Sequence, residues 1–201
     1  MQGVYQGNGA GLIIWAVVSS PLIQILKEDG FGTFFQTALS NHMIRIVDYA
    51  FVDDTDLIQT AKDGQKFVEV NVEMQKAMDL WEGLIKNTGG ALATDKCRWW
   101  GIDFSWTNGK WRYRTNEELV GELTAIDTHE TRQIIKQLET SEAYETLGVW
   151  PAANGNHSEE LKILKSLAKE WADRIRVSFL SESKAARALS ATIIKNWNIH
   201  S

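Results

Sequence analysis

Three aspartates near position 50 are the residues whose type and spacing best suit catalytic chemistry. In "YAFVDDTDL", residues 49–57, Asp53 and Asp54 follow an apolar, strand-like run, and Asp56 comes two positions later. Solvated turns often hold carboxylates in this way, and so do sites that bind divalent metals. Two-metal phosphoryl transfer needs carboxylates that converge on ions about 3.5–4 Å apart, and adjacent aspartates in a hairpin turn can supply two of them. The stretch alone leaves the solvated turn and the magnesium site open.

Other metal and nucleotide sites have less support. A calcium loop needs ligands at alternating positions, a central glycine and a distal glutamate, whereas Leu57 and Ile58 follow Asp56. The four histidines are scattered, and none has ligand spacing to another or to Cys97, which argues against zinc. The glycine-rich residues 3–11 lack both a preceding strand and the Gly-Lys-Ser/Thr of a P-loop.

Composition bounds the class of protein. The chain has 201 residues, 44% of them hydrophobic and 23% charged, which is typical of a globular protein. A single cysteine excludes an internal disulfide and suggests a reducing, intracellular compartment. The net charge of −5 argues against a nucleic-acid footprint over the whole surface, but residues 156–201 carry eight Lys/Arg against five Asp/Glu. We expect no membrane partner, because the apolar run at 11–26 is short and interrupted by Ser and Pro.

Hydrophobic periodicity predicts the elements around the aspartates. The apolar residues of 12–26 predict a buried helix, and the β-branched and aromatic residues of 43–52 predict a strand. "LIQTA", residues 57–61, could return as a second strand, so the aspartates would lie at the tip of a hairpin. Apolar residues three and four apart predict a helix over 66–88 that ends at Gly89.

A second hairpin is predicted at "DFSWTNGKWRYR", residues 103–114, because Asn-Gly is the strongest two-residue hairpin signal. This turn would set three cross-strand pairs: Trp106 with Trp111, Phe104 with Tyr113, and Asp103 with Arg114. Packing within a sheet is the favoured role of the aromatic residues, and stacking on nucleic-acid bases is the alternative.

The rest of the chain is expected to be mostly helical. Residues 117–139 predict a polar helix, "YETLGVW" at 144–150 a short strand, and the segment from about Asn156 a helix with one apolar stripe. A last helix is expected from about Ser181 to Trp197. The predicted fold class is therefore α+β.

The order of these features resembles the palm and thumb of reverse transcriptases, especially those of non-LTR retrotransposons. "YQGNGAGLIIWAVVSSPL" is similar to motif B of that family, and "FVDD" to the Tyr-x-Asp-Asp of motif C, with Phe51 in place of the tyrosine. "NTGGALATDKC" resembles motif D, and "YETLGV" resembles motif E. The resemblance covers roughly residues 3–195 and rests on four motifs in order.

The resemblance implies a role for each matched residue. Asp53 would be a catalytic ligand of Mg²⁺ (or Mn²⁺), with Asp54 as its partner carboxylate. Gln6 and Gly7 would line the space for the incoming nucleotide and template. Lys96 would lie near the leaving pyrophosphate.

The motif E positions and the domain organisation follow from the same resemblance. Leu147 and Gly148 would lie near the primer end. The implied domains are a partial palm with motifs B, C, D and a β-hairpin at 1–130, a connecting helix and motif E-like strand at 131–155, and a helical thumb-like region at 156–201. The implied partners are an RNA template, a DNA primer and deoxynucleotides.

Motif A, which carries the first catalytic aspartate of the family, does not precede Gln6 in this sequence. Asp48 and Asp103 are weak substitutes for it. We therefore expect a polymerase fragment that is inactive alone and that self-associates through an exposed sheet edge. The alternatives are a non-catalytic relic or nucleic-acid-binding module, and a polymerase that copies RNA into RNA. The Leu-Gly strand argues against the last of these.

Overall fold

The computed structural model describes residues 10–51, 54–146, 148–178 and 180–189. The helices are α1 (Ala10–Glu28), α2 (Phe67–Asn87), α3 (Ser158–Val177) and α4 (Glu182–Leu189). The strands are β1 (Thr33–Gln36), β2 (Met43–Ile46), β3 (Asp48–Phe51), β4 (Asp54–Leu57), β5 (Arg98–Trp100), β6 (Phe104–Thr107), β7 (Lys110–Tyr113), β8 (Leu123–Ile126) and β9 (Arg132–Leu138). The predicted α+β class is confirmed.

The chain divides into two compact units. The first unit comprises residues 1–103 and 114–138, and the second comprises 104–113 and 139–201. The first unit holds two-stranded sheets β1–β2 and β3–β4 and a three-stranded sheet in the order β5-β9-β8. The second unit holds the hairpin β6–β7 and helices α3 and α4.

Helix α2 is the central element of the first unit and confirms the helix predicted at 66–88. At its start the backbone N–H of Lys66 donates to the Glu69 carboxylate at 2.7 Å, which satisfies one of the free donors of the first turn. At its end Gly89 adopts a φ of 83° and the Gly90 N–H donates to the Ile85 carbonyl at 3.1 Å. This glycine ending is the αL cap that stops a helix.

Helix α1 packs on α2 through one stripe. Leu22 and Leu26 are buried in a cluster with Trp81 and Ile85 of α2 and with Val47. Other apolar positions of α1 face solvent, and Ile13 and Val17 are each 69% exposed. The expectation of a buried helix is therefore wrong for this face, because α1 meets the core on one side only.

The three-stranded sheet covers the other side of α2. Trp99, Leu123, Ala125 and Ile135 form its buried cluster, against which Met78 and other apolar residues of α2 pack. Strand β8 is antiparallel to β9 and β5 is parallel to it, so the sheet is mixed rather than wholly antiparallel.

The helix predicted over 117–139 and the connecting helix implied from residue 131 are wrong, since β8 and β9 occupy this stretch. Side chains of α2 take part in holding the strand. The Thr124 N–H donates to Gln75 Oε1 at 2.7 Å, and the Ile126 N–H donates to Glu82 Oε2 at 2.8 Å. These tertiary contacts satisfy the edge of β8, and they override the polar, helix-like composition of the segment.

The single strand predicted over 43–52 is divided in two at Val47. Strand β2 pairs with β1, whereas β3 pairs with β4. Val47 is buried between them, and Gly32 lies close against it, with a φ of 102°. A Cβ on Gly32 would lie 2.6 Å from the Ile46 carbonyl oxygen and 3.0 Å from Val47 Cα.

The second unit confirms the predicted hairpin register. Trp106 pairs with Trp111 and Phe104 with Tyr113, and both turn residues have positive φ, 52° at Asn108 and 75° at Gly109. These angles are those of the type I′ turn that matches strand twist.

The strand predicted at 144–150 is reduced to one isolated bridge, between Thr146 and Val149. Helix α3 forms where a helix was expected from about Asn156, and none of its described side chains is buried. The helix predicted to Trp197 is observed as α4 up to Leu189, and the rest lies outside the described residues.

Among the helices of the described ranges, none is long and apolar enough to cross a membrane.

Replacing Gly32 by alanine should destabilise the protein more than replacing Gly64, which also has positive φ (77°) but open space around it. The left-handed backbone costs about 1–2 kcal/mol at either site, and the clash at Gly32 should raise its total to about 2–5 kcal/mol. Urea unfolding of the two variants measures the difference. Equal losses would show that the approach of Gly32 to Val47 is not a packing constraint.

Candidate active site

Strands β3 and β4 form a hairpin around the aspartates, but its second strand is Asp54–Leu57 and not the predicted 57–61. Asp54 and Asp56 therefore lie within the strand rather than at the tip. Phe51 pairs with Asp54, and Asp48 pairs with Leu57, in an antiparallel register. Residues 52 and 53 connect the strands and lie outside the described residues, so the predicted position of Asp53 in the turn stays a prediction. Asp54 begins β4 and is exposed, which places one carboxylate of the pair beside the hairpin tip.

The alternation of β4 determines which way its carboxylates point. Leu57 packs against the cluster of α1 and α2, and Thr55 lies on the same face as Leu57. Asp54 and Asp56 lie on the opposite face and are exposed. Two carboxylates two positions apart on one strand face are neighbours, so this face of the hairpin is acidic.

The pKa of Asp56 reflects this arrangement. Desolvation by the surrounding protein raises the pKa of this carboxyl, and the negative charge of Asp54 raises it further. A cation bound between the two side chains would relieve the repulsion, which is the electrostatic requirement of a metal site. Period-two alternation starting from Asp54 is the sequence signal that could have identified Asp56 as its companion.

Asp48 lies on the other face of the hairpin, because it pairs with Leu57. Its side chain is half-buried, and its Oδ2 atom has no hydrogen-bond partner. Desolvation raises the pKa of Asp48, and the charge of Lys27 partly opposes that effect. The register thus places Asp48 on the opposite face of the hairpin from the Asp54 carboxylate.

Asp103 is also engaged elsewhere. Its Oδ2 atom lies 3.0 Å from Nε of Arg114, which confirms the ion pair predicted from the hairpin register.

The exposed Lys96 lies in the turn between α2 and β5, where its N–H donates to the Ala93 carbonyl at 2.9 Å.

Of the remaining predicted site residues, Gly148 and Phe51 are described and the others are not. Gly148 has a φ of 80° and lies between the bridged residues Thr146 and Val149, so it occupies a turn where a strand was expected. The backbone of Phe51 ends β3 opposite Asp54. Gln6, Gly7 and Leu147 lie outside the described residues.

The described ranges contain no group of three or more His, Cys, Asp or Glu side chains arranged to hold a metal ion. Within these ranges the candidate site is therefore the acidic face of one hairpin, with Asp54 and Asp56 as its carboxylates.

Comparisons with protein-family models, with curated proteins and with solved structures each found no match. The resemblance of the motifs to reverse transcriptases thus stays a prediction that rests on the residues themselves.

Asp48→Asn should stabilise the protein at neutral pH. The folded state raises the pKa of Asp48 above its ordinary value of 3.8, so the ionised carboxylate opposes folding at pH 7. That penalty fades as the pH falls through the folded pKa, because the folded protein then gains the proton more readily than the unfolded chain. We expect a higher urea midpoint for Asp48→Asn at pH 7 and a shrinking difference towards pH 4.

The matched control is Asp63→Asn, at an exposed turn position. Asp63→Asn should change the urea midpoint by the same amount at pH 7 and at pH 4. A loss of stability in Asp48→Asn at neutral pH would mean that the carboxylate makes a favourable contact on folding.

Proposed function

We propose that this chain is the C-terminal palm and thumb portion of an RNA-directed DNA polymerase that works by two-metal nucleotidyl transfer. The observation that carries the proposal is the β3–β4 hairpin, which presents Asp54 at the start of its second strand on an exposed face. The order of the other motifs along the chain supports it. An RNA template, a DNA primer and deoxynucleotides would be its partners, in an intracellular compartment.

The hairpin suits this chemistry because its outer face is acidic and its inner face is anchored. Leu57 and Val47 hold it to the core, and the Ile58 N–H donates to the Val47 carbonyl at 2.8 Å. A fixed strand end keeps the carboxylates in one place, and preorganised charge is what stabilises a phosphoryl-transfer transition state. Bound Mg²⁺ would activate the primer hydroxyl and neutralise charge on the phosphates.

The remaining residues would position the substrates. Asp53 and Asp54 would hold the metal, and Lys96 would neutralise charge on the departing pyrophosphate. Cationic side chains of α3 would contact the phosphates of the template–primer duplex, in agreement with the positive balance of residues 156–201. Gly148 would lie beside the primer end, in the tight turn that its positive φ permits.

A second candidate function is a non-catalytic nucleic-acid-binding module or retroelement relic. The observation that favours it is the carboxylate geometry. Asp48 and Asp103, which could have replaced the motif A aspartate, lie on the inner face of β3 and in an ion pair, respectively. The two candidates differ in whether the hairpin binds metal and whether binding supports chemistry.

Metal titration followed by backbone amide shifts tests the site. We expect weak Mg²⁺ or Mn²⁺ binding, on the order of millimolar, because two or three carboxylates on one hairpin leave most of the hydration shell in place. The largest shifts should fall on residues 53–57. Asp53→Asn with Asp54→Asn should abolish them, and Asp63→Asn should not. Equal shifts in the double variant would show that metal binding is not at this hairpin.

Primer extension on an RNA template tests activity. We expect no extension by the 201-residue chain alone, because correct positioning of reactants accounts for roughly 7–11 kcal/mol of a barrier. The carboxylates assigned here all lie on one hairpin, whereas a two-metal site needs carboxylates that converge on both ions. A complete reverse transcriptase in the same buffer serves as the positive control. Extension by this chain that is lost in Asp54→Asn would show that its third ligand comes from a residue we have not assigned.

A further inference from the structure

The β6–β7 hairpin of the second unit presents an aromatic face to solvent. Its cross-strand pairs place four rings on one side, Phe104 with Tyr113 and Trp106 with Trp111. Trp106 is 60% exposed and Trp111 is 68% exposed, although burial of such rings is among the strongest sources of folding energy. A contiguous exposed aromatic surface of this kind is typical of a binding site.

The rings are held in place by one another. Trp106 and Trp111 meet edge to face with centroids 5.1 Å apart, and Phe104 and Tyr113 are tilted with centroids 4.8 Å apart. The type I′ turn at Asn108 fixes the register that brings them together. A ligand that stacks on this face would meet rings that are already ordered, so little conformational entropy would be lost on binding.

The charge of the hairpin identifies the kind of ligand. Residues 104–113 contain Lys110 and Arg112 and no acidic residue, in a chain with a net charge of −5. Both cations are exposed, and both belong to β7, whose length alternates cation and aromatic ring. They lie on the face opposite the rings, but their long side chains can reach past the edge of a two-stranded ribbon.

Aromatic rings beside cations, without acidic groups, complement a polyanion that carries flat rings. Single-stranded nucleic acid has this chemistry, since its unpaired bases stack on aromatic side chains and its phosphates pair with Lys and Arg. Duplex nucleic acid does not, because its base faces already stack on one another. An acidic protein surface would attract the positive charges of Lys110 and Arg112 but would offer no flat rings to stack on the tryptophans.

We infer that the aromatic face of β6–β7 binds single-stranded nucleic acid by base stacking on Trp106 and Trp111, with Lys110 and Arg112 contacting the phosphate backbone. This surface lies outside the four motifs that resemble polymerase motifs. The inference rests on the proposed function for the presence of nucleic acid as a partner, and it is tested separately.

Fluorescence anisotropy with labelled oligonucleotides of about 12 nucleotides, within the range that stacking surfaces cover, measures the binding. We expect the full chain to bind a single-stranded RNA or DNA probe. An abasic strand of equal length and a duplex of the same sequence should each bind with an affinity lower by about tenfold or more, because neither offers free base faces. Equal affinity for the abasic strand would overturn the inference.

Two variants test the residues. Trp106→Val with Trp111→Val keeps β-branched side chains in the strands but removes the stacking faces, and it should weaken binding about tenfold or more. Lys110→Gln with Arg112→Gln preserves the aromatic face. It should lower the slope of log affinity against log salt by roughly 1.4, about 0.7 for each phosphate that the protein no longer neutralises.

The matched control is Lys66→Gln with Lys76→Gln, which removes two positive charges from exposed positions of the first unit. It should leave the preference for bases over the abasic strand unchanged. Two results together would overturn the inference. The control variant would lose as much affinity as Lys110→Gln with Arg112→Gln, and the tryptophan variant would keep the preference for the strand with bases. Binding would then depend on general electrostatic attraction.

Further measurements distinguish this surface from the acidic hairpin and from a self-association surface. Asp53→Asn with Asp54→Asn should bind the oligonucleotide as the natural chain does, even though it loses metal shifts. Loss of oligonucleotide binding in that variant would assign the binding to the β3–β4 hairpin and overturn the inference. Concentration-dependent light scattering that disappears with the tryptophan variant, without oligonucleotide binding by the natural chain, would identify a self-association surface instead.

Discussion

The first unit depends on helix α2, which buries residues on two sides at once. Trp81 and Ile85 pack against α1 and Val47, whereas Met74 and Met78 pack against the three-stranded sheet. Full burial of one tryptophan contributes about 5 kcal/mol before conformational costs, which is comparable to the net stability of a small domain. Because both clusters share this helix, the elements around it are positioned together, and so is the hairpin that carries the aspartates.

The chemistry at β3–β4 follows from this packing through strand register. Val47 is buried before β3 and Leu57 packs against the same cluster at the end of β4, so both ends of the hairpin are tied to the core. Side chains alternate with a period of two, so Asp54 and Asp56 face solvent as long as Leu57 faces inward. A slip of one residue would bury both carboxylates and expose Leu57, at a cost that strongly favours the observed register. Apolar packing therefore determines where the negative charge accumulates.

The parts of the fold that sequence could predict are those decided by local interactions. Helix α2 has an apolar repeat and a glycine cap, and β6–β7 has Asn108-Gly109 with matched aromatic pairs. Strands β8 and β9 were not predictable in this way. The N–H groups of Thr124 and Ile126 at the edge of β8 donate to Gln75 and Glu82, which lie 49 and 44 residues earlier in the chain. The division of strand 43–52 at Val47 has the same origin, since it reflects a close approach to Gly32 that no local pattern encodes.

The two hairpins differ in what stabilises them, and this difference bears on what each can do. An isolated hairpin is marginal in water, so it needs either strong cross-strand pairs or a core to pack on. In β3–β4 the register pairs Tyr49 with Asp56 and Ala50 with Thr55, which contribute little, and the hairpin relies on the core. The carboxylate positions there are consequently sensitive to substitutions far from the site. In β6–β7 the aromatic pairs and the turn stabilise the hairpin locally. Its exposed face therefore keeps its geometry although the rings do not pack on a hydrophobic core. Side chains on the aromatic face of β6–β7 can therefore be replaced without reference to a core, whereas substitutions in the acidic hairpin are limited by its packing against the cluster of α1 and α2.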